Sequence, residues 1–251
     1  MKRTVLASLV ALVAVVAAGS AARAQAPALP SIDQILDKYV TAIGGRAALE
    51  KVTSRVSKGT MEIPDMGVSG TITISEKAPD KSLAVIEVGG MGVIRDGTDG
   101  VNSWEDSPQN AGGIRDKTGV ELADAKRSAT FNVELKMKSL YKTMAVTGRE
   151  RVGSRDAYVV LATPAEGSPS RMFFDVENGL MVRQSMTRET AQGPMDVDVY
   201  LEDVREVDGI KQPFVVRQVA QQVTIVFRLS EIKYNVPLDD AMFKRPGLAT
   251  R

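Results

Sequence analysis

Val68-Ser-Gly-Thr-Ile-Thr-Ile74 is the stretch that decides the fold. Val68, Gly70, Ile72 and Ile74 alternate with Ser69, Thr71 and Thr73. Successive side chains of an extended chain point to opposite faces, so this period of two predicts a strand with one face buried and the other wet. The period holds on both sides of it. It sets in near Arg55 and continues through 81–88, 91–95 and 101–105, with Asp96-Gly97 and Asp99-Gly100 punctuating a turn. Beyond a polar, Gly-rich loop (106–119), strands are predicted at 143–150, 156–163, 170–176, 180–189, 195–206, 213–220 and 223–234. Asn178-Gly179 and Asp208-Gly209 are hairpin signals between some of them. About eleven strands follow, with no linker rich in Pro or Ser to divide them.

Two stretches break this period. Ser31 and Gln34 have capping-box spacing, and Ile32, Ile35, Leu36, Tyr39, Val40 and Ile43 form one apolar stripe, so 31–43 is a helix stopped by Gly44-Gly45. Arg46 to Val52 extends it by a further helical stretch. Residues 120–141 fit two patterns. Leu122, Ala125, Ala129, Val133, Met137 and Leu140 make a helical stripe, whereas Phe131, Val133, Leu135 and Met137 alternate; length favours helix, with a break near Asn132.

The N-terminus has the form of an export signal. Lys2 and Arg3 precede an apolar run from Val5 to Ala18, and two A-x-A sites overlap at Ala22 to Ala26. Cleavage after Ala26 would leave Pro27 at the new terminus, where its fixed φ fits a protease cleft poorly, so cleavage is expected after Ala24. Residues 25–30 then form a linker and 31–251 a single domain. The apolar run is shorter than the roughly 20 residues needed to span a membrane. No cysteine at the cleavage site provides for lipidation. A periplasmic or otherwise exported chain with no integral membrane segment is expected.

The chain has no histidine and no cysteine. Imidazole bases, thiolate nucleophiles, Ser-His-Asp triads, Cys/His zinc sites and C-x-x-C-H haem attachment are therefore excluded. Without the leader, 29 basic residues face 31 acidic ones, and no basic cluster suggests nucleic acid. Ser139-Leu-Tyr-Lys142 and Lys117-Thr-Gly119 match fragments of the penicillin-binding signature, but in reversed order and without S-D-N. Asp96 and Asp99 suit a turn better than a calcium loop. Asp196, Asp198 and Glu202 interleave with Val197, Val199 and Leu201, as the polar face of a strand does. No enzyme activity, metal or cofactor is expected.

Several segments resemble the outer-membrane lipoprotein-sorting protein superfamily, the LolA/LolB-like proteins. They are Ile35-Leu-Asp-Lys-Tyr-Val-Thr-Ala-Ile-Gly-Gly-Arg-Ala-Ala-Leu-Glu-Lys-Val, Asp96-Gly-Thr-Asp-Gly-Val-Asn-Ser-Trp-Glu, Phe174-Asp-Val-Glu-Asn-Gly-Leu, Val207-Asp-Gly-Ile-Lys-Gln-Pro-Phe and Asn235-Val-Pro-Leu-Asp-Asp-Ala-Met-Phe. The resemblance runs from about Ser31 to Pro246. It implies an α+β fold, mostly antiparallel β: a strongly curved, half-open barrel with helices covering its concave mouth and a lipid or acyl chain inside. An envelope protein or lipoprotein is a further partner it allows, and the oligomeric state is left open. The alternative is a structural or interaction module whose core is filled by its own side chains.

The candidate site is apolar. Met61, Met66, Met91, Met172, Met181, Met186 and Met195 fall in or beside predicted strands, together with Phe173. Unbranched Met adapts to ligands of variable shape. The cavity residues singled out are Ile72, Ile74, Met172, Phe174, Met181, Val223, Ile225 and Phe227; the lid residues are Ile35, Tyr39, Val133 and Met137. Each buried CH₂ contributes about 0.8 kcal/mol, so a 14-carbon chain would gain on the order of 10 kcal/mol gross in a covered cavity.

Overall fold

The computed structural model describes residues 28–190, 193–221 and 223–247. The leader and its cleavage site lie outside the described residues. All strands belong to one antiparallel sheet that is not closed. Its first half is a meander: β1 (Ser54–Ile63), β2 (Val68–Lys77), β3 (Lys81–Val88), β4 (Gly92–Thr98), β5 (Ser103–Asp106) and β6 (Ile114–Asp116). The second comprises β7 (Thr143–Val152), β8 (Arg155–Thr163), β9 (Ser170–Asp175), β10 (Met181–Thr190), β11 (Gly193–Val207), β12 (Ile210–Ala220) and β13 (Val223–Tyr234). The halves join where β1 pairs with β13, which leaves β6 and β7 as the two edges.

Among the described residues there are thirteen strands rather than about eleven. Ile114–Asp116 lies inside the stretch expected to be loop; three residues are too few to display a period, and it is a strand only through its pairing with β5. Ser54–Ile63 is a full strand where the sequence marks only the onset of alternation. Asp96-Gly97 is not a turn but part of β4. Gly97 is needed there because a Cβ would sit 2.4 Å from the Trp104 ring on the neighbouring strand. The turn itself is Asp99 to Asn102, where the Asp99 carboxylate accepts from the amides of Val101 and Asn102. Asp208-Gly209 makes the expected tight hairpin, both residues having positive φ, between Val207 and Ile210.

Among the described residues four α-helices accompany the sheet: α1 (Ile32–Ala42), α2 (Arg46–Leu49), α3 (Gly119–Ser128) and α4 (Met137–Leu140). Ser31 caps α1 with the capping box complete, its own amide donating to Gln34 Oε1 at 2.8 Å. The 120–141 stretch is not one helix. Asn132 adopts left-handed backbone (φ 51°) between α3 and a 3₁₀ turn at Val133–Leu135, its side chain donating to the carbonyl of Leu49.

The sheet is curved. Helix α3 contacts both β5 and β10, eight strand spacings apart in the sheet order. A flat sheet would hold those strands about 38 Å apart, several times the width of a helix. Gly59 and Gly70 accommodate the bend: a Cβ on either would lie within 2.2 Å of a neighbouring strand's carbonyl oxygen.

Candidate ligand-binding face

Register assigns every side chain to one of two faces. On the outer face of β9 to β12, Arg183 stacks over Phe173 and Tyr200, and Arg217 over Tyr200. Arg183 also pairs with Asp198 at 2.7 Å and Arg217 with Glu202 at 2.6 Å. The acidic residues of β11 thus belong to a solvated wall. Phe173 lies on the same face, because adjacent residues of a strand cannot share one, but it is fully buried there in a small apolar cluster with Ala157, Val159 and Val182. Among the described residues no group of three or more acidic side chains is arranged to hold a metal ion.

The inner face is mostly apolar, with Gln184, Gln218 and Asp96 among its rows. Its rows run Met186, Val197, Ala220, Val223; then Gln184, Val199, Gln218, Ile225; then Leu201, Val216, Phe227, Met61. The same face continues as Ile72, Ile86, Ile94 and as Ile74, Ala84, Asp96. On β8 to β10 it carries Val160, Met172, Phe174 and Met181. All eight cavity residues expected from the sequence therefore lie on this one face.

They do not share one environment. Met172 and Phe174 are buried in a closed core with Ile35, Leu36, Tyr39 and Met137, and Met181 packs against it. The Tyr39 and Phe174 rings meet edge-on at 5.3 Å. Of the residues expected to form a lid, Ile35, Tyr39 and Met137 seal this part of the face, whereas Val133 is only half-buried in its turn. Ile74, Ile225 and Phe227 are half-buried and Val223 is exposed, and none of them belongs to a closed apolar cluster; Ile72 is buried. Met66 and Met91 lie exposed outside the strands. A pocket of ≈ 240 Å³ opens beside α1, lined by Gln34, Ile35, Lys38, Tyr158 and Phe174 among others. A second, of ≈ 560 Å³, follows Thr53, Ser54, Lys77 and 235–238.

Polar groups bound the apolar stretch. Where β1, β2 and β12 approach α1, Arg55 donates to both oxygens of Glu76 at 2.6 and 2.8 Å and to Gln212 at 3.2 Å. Burial works against the Arg55 charge, but Glu76 more than offsets it and holds the guanidinium above its ordinary pKa. Burial, reinforced by Glu134, pushes the Tyr39 phenol up. On the α3 side, Arg115 bridges Glu105 and Glu121, Lys117 pairs with Asp96, and Arg127 with Asp124. Arg188 stands apart. It shares the inner face with Gln184 and Met186, and no ion pair or hydrogen bond holds it among the described residues. The sequence reading did not single it out, although its parity with Met186 was the available signal.

Fold and face together define an open, curved antiparallel sheet with an apolar inside and an ionic outside: the LolA-like fold. A LolA superfamily protein of Nitrosomonas europaea superposes with a TM-score of 0.57 at 14% identity, over 86% of this chain and 99% of that one. A DUF1329 family protein of Desulfovibrio piger gives 0.57 at 15% identity, over 85% and 97%. A domain from Vibrio parahaemolyticus, described as an outer-membrane lipoprotein-sorting protein, gives 0.56 at 8%, over 84% and 94%. These likenesses establish the fold. No protein-family model and no curated protein matches the sequence. Among the described residues no helix is long and apolar enough to cross a membrane.

Proposed function

We propose that the protein is an exported, non-enzymatic carrier that shelters an acyl chain against the inner face of its sheet. One observation carries this reading. Ile74, Ile225, Phe227 and Val223 face inward on a curved sheet yet keep solvent-accessible surface and join no closed core. An apolar face left partly wet is a cost that a ligand removes. Burying a 14-carbon chain there would contribute on the order of 10 kcal/mol gross, much of it spent on ordering the chain. Helix α1 and the 131–141 segment would act as the cover, and the leader would deliver the protein to the periplasm. The sorting role named for the Vibrio neighbour supports a lipidic cargo.

The closed core under α1 favours a second reading, a self-filled envelope module that docks to a partner. Mass spectrometry of lipid extracted from protein isolated from its native periplasm separates the two. Stoichiometric acyl lipid is expected; protein that leaves the cell lipid-free and takes up no long-chain probe in vitro would refute the carrier.

A further inference from the structure

The pocket of ≈ 240 Å³ beside α1 is a site apart from the half-buried rows of the inner face. Its floor is the closed core itself, Ile35 and the ring of Phe174, which meets Tyr39 edge-on at 5.3 Å. Tyr158, directly opposite Phe174 on β8, forms one side, and the turn that follows β9 forms another. Gln34 and Lys38, one helical turn apart on α1, complete the mouth. The sides are tied together: Lys38 Nζ donates to the Val176 carbonyl at 2.7 Å, and its stem lies over Gly179, where a Cβ would come within 2.7 Å of it.

The side-chain acceptors on this lining are already engaged. Gln34 Oε1 accepts from the Ser31 amide at 2.8 Å, and the Tyr158 hydroxyl oxygen from Arg149 at 3.0 Å. The buried Asp175 carboxylate accepts from the amides of Glu177 at 2.8 Å and Asn178 at 3.1 Å and pairs with Arg155 at 3.0 Å. The donors are not used up. Lys38 keeps two ammonium N–H groups, Gln34 keeps its NH₂, whose orientation the capping box fixes, and Tyr158 keeps its hydroxyl proton; none has a further partner among the described residues. An apolar floor under a mouth of spare donors suits an acceptor-only head on a small apolar body. We propose that this pocket binds a small monocarboxylate, its ring or short chain on Ile35, Phe174 and Tyr158 and its carboxylate accepting from Lys38, Gln34 and Tyr158. A cavity of about 150 Å³ holds benzene, so this one has room for one ring with a short arm or a chain of about eight carbons. It is too small for a long acyl chain, and the proposal does not depend on the carrier reading.

The test titrates delipidated mature protein at neutral pH with phenylpropionate and octanoate, and with phenylpropanol and octanol as uncharged matches, followed by amide NMR. Both acids should bind with Kd on the order of 0.1–1 mM, about 10-fold more tightly than the alcohols. They should shift the amides of Lys38 and Gly179 and not those of Ile225 and Phe227. Gln34→Glu keeps a capping-box acceptor but replaces the spare donors with a carboxylate; it should weaken the acids by about 10-fold or more and leave the alcohols unchanged. Lys38→Met keeps an unbranched stem and should remove most of the preference for acids. Thermal melts confirm that each variant folds. Equal binding of acids and alcohols to wild type, indifference of the acids to Gln34→Glu, or no acid binding at millimolar concentration would overturn the site. Acid-induced shifts confined to the inner-face amides would also overturn it, while leaving the carrier reading intact.

Discussion

Two enlargements on the same face should have opposite costs. Met172 is 3% exposed and is packed by Val160, Phe174 and the side chains of α1. Met172→Trp must push neighbours that have no room, and overpacking of this kind costs about 1–3 kcal/mol. For a domain of this size each kcal/mol moves Tm by about 2–4 °C, so a fall of roughly 2–12 °C is expected. Ile74 faces the same way but is only half-buried and belongs to no closed cluster. Ile74→Phe projects its extra atoms into the hollow, where stability should change by no more than about 0.5 kcal/mol. The same ring should shorten the longest acyl chain the protein accepts. Differential scanning calorimetry of delipidated protein, with a chain-length series titrated against each variant, reads both effects. An Ile74→Phe melt as depressed as that of Met172→Trp would mean the inner face is filled throughout, and the case for a carrier would be lost.

The C-terminal segment supplies two further predictions. Phe243 is fully buried against Leu83 and Trp104, and the Trp104 indole donates to the Phe243 carbonyl at 3.1 Å, so Phe243→Ala should cost about 3–5 kcal/mol by denaturant titration; a loss below about 1 kcal/mol would show the segment to be dispensable. Asp240 accepts from Lys77 at 2.8 Å and Lys81 at 2.7 Å, which hold its carboxyl at about 2 instead of 3.8. A depressed carboxyl pKa stabilises the fold fully above the unfolded value and loses that contribution as pH falls through the folded one. Fluorescence of Trp104, the only tryptophan, should therefore report loosening between about pH 4 and 2; the step should vanish in Asp240→Asn, and its persistence there would assign it to another group.

What could be read from the sequence follows from how local each determinant is. Strands β7 to β13 are legible because alternation runs unbroken between turn dipeptides, and Asp208-Gly209 alone fixes a two-residue hairpin. Strand β6 has no local signature and is created by its neighbour. The 120–141 stretch carries two competing periods because its parts do different things: α3 braces β5 and β10, whereas Phe131 and Met137 turn into the core under α1. Asn132, in left-handed backbone, separates them. The eight cavity residues share a face because parity is a local property. Which of them lie beneath α1 depends on which strands a distant helix crosses, and no spacing along the chain encodes that.

Arg188 follows the same logic one step further. Once Met186 is assigned inward, parity places Arg188 inward as well, two residues along the strand. Arg183, of the opposite parity, belongs to the outer face, stacked on the buried Phe173 and paired with Asp198. The two arginines differ in partner as well as face: Arg183 is satisfied by its own sheet, and Arg188 is not. Arg188 is exposed and, like Gln184, Gln218 and Asp96, interrupts the apolar rows of the inner face, so its charge is met by solvent where that of Arg183 is met by Asp198.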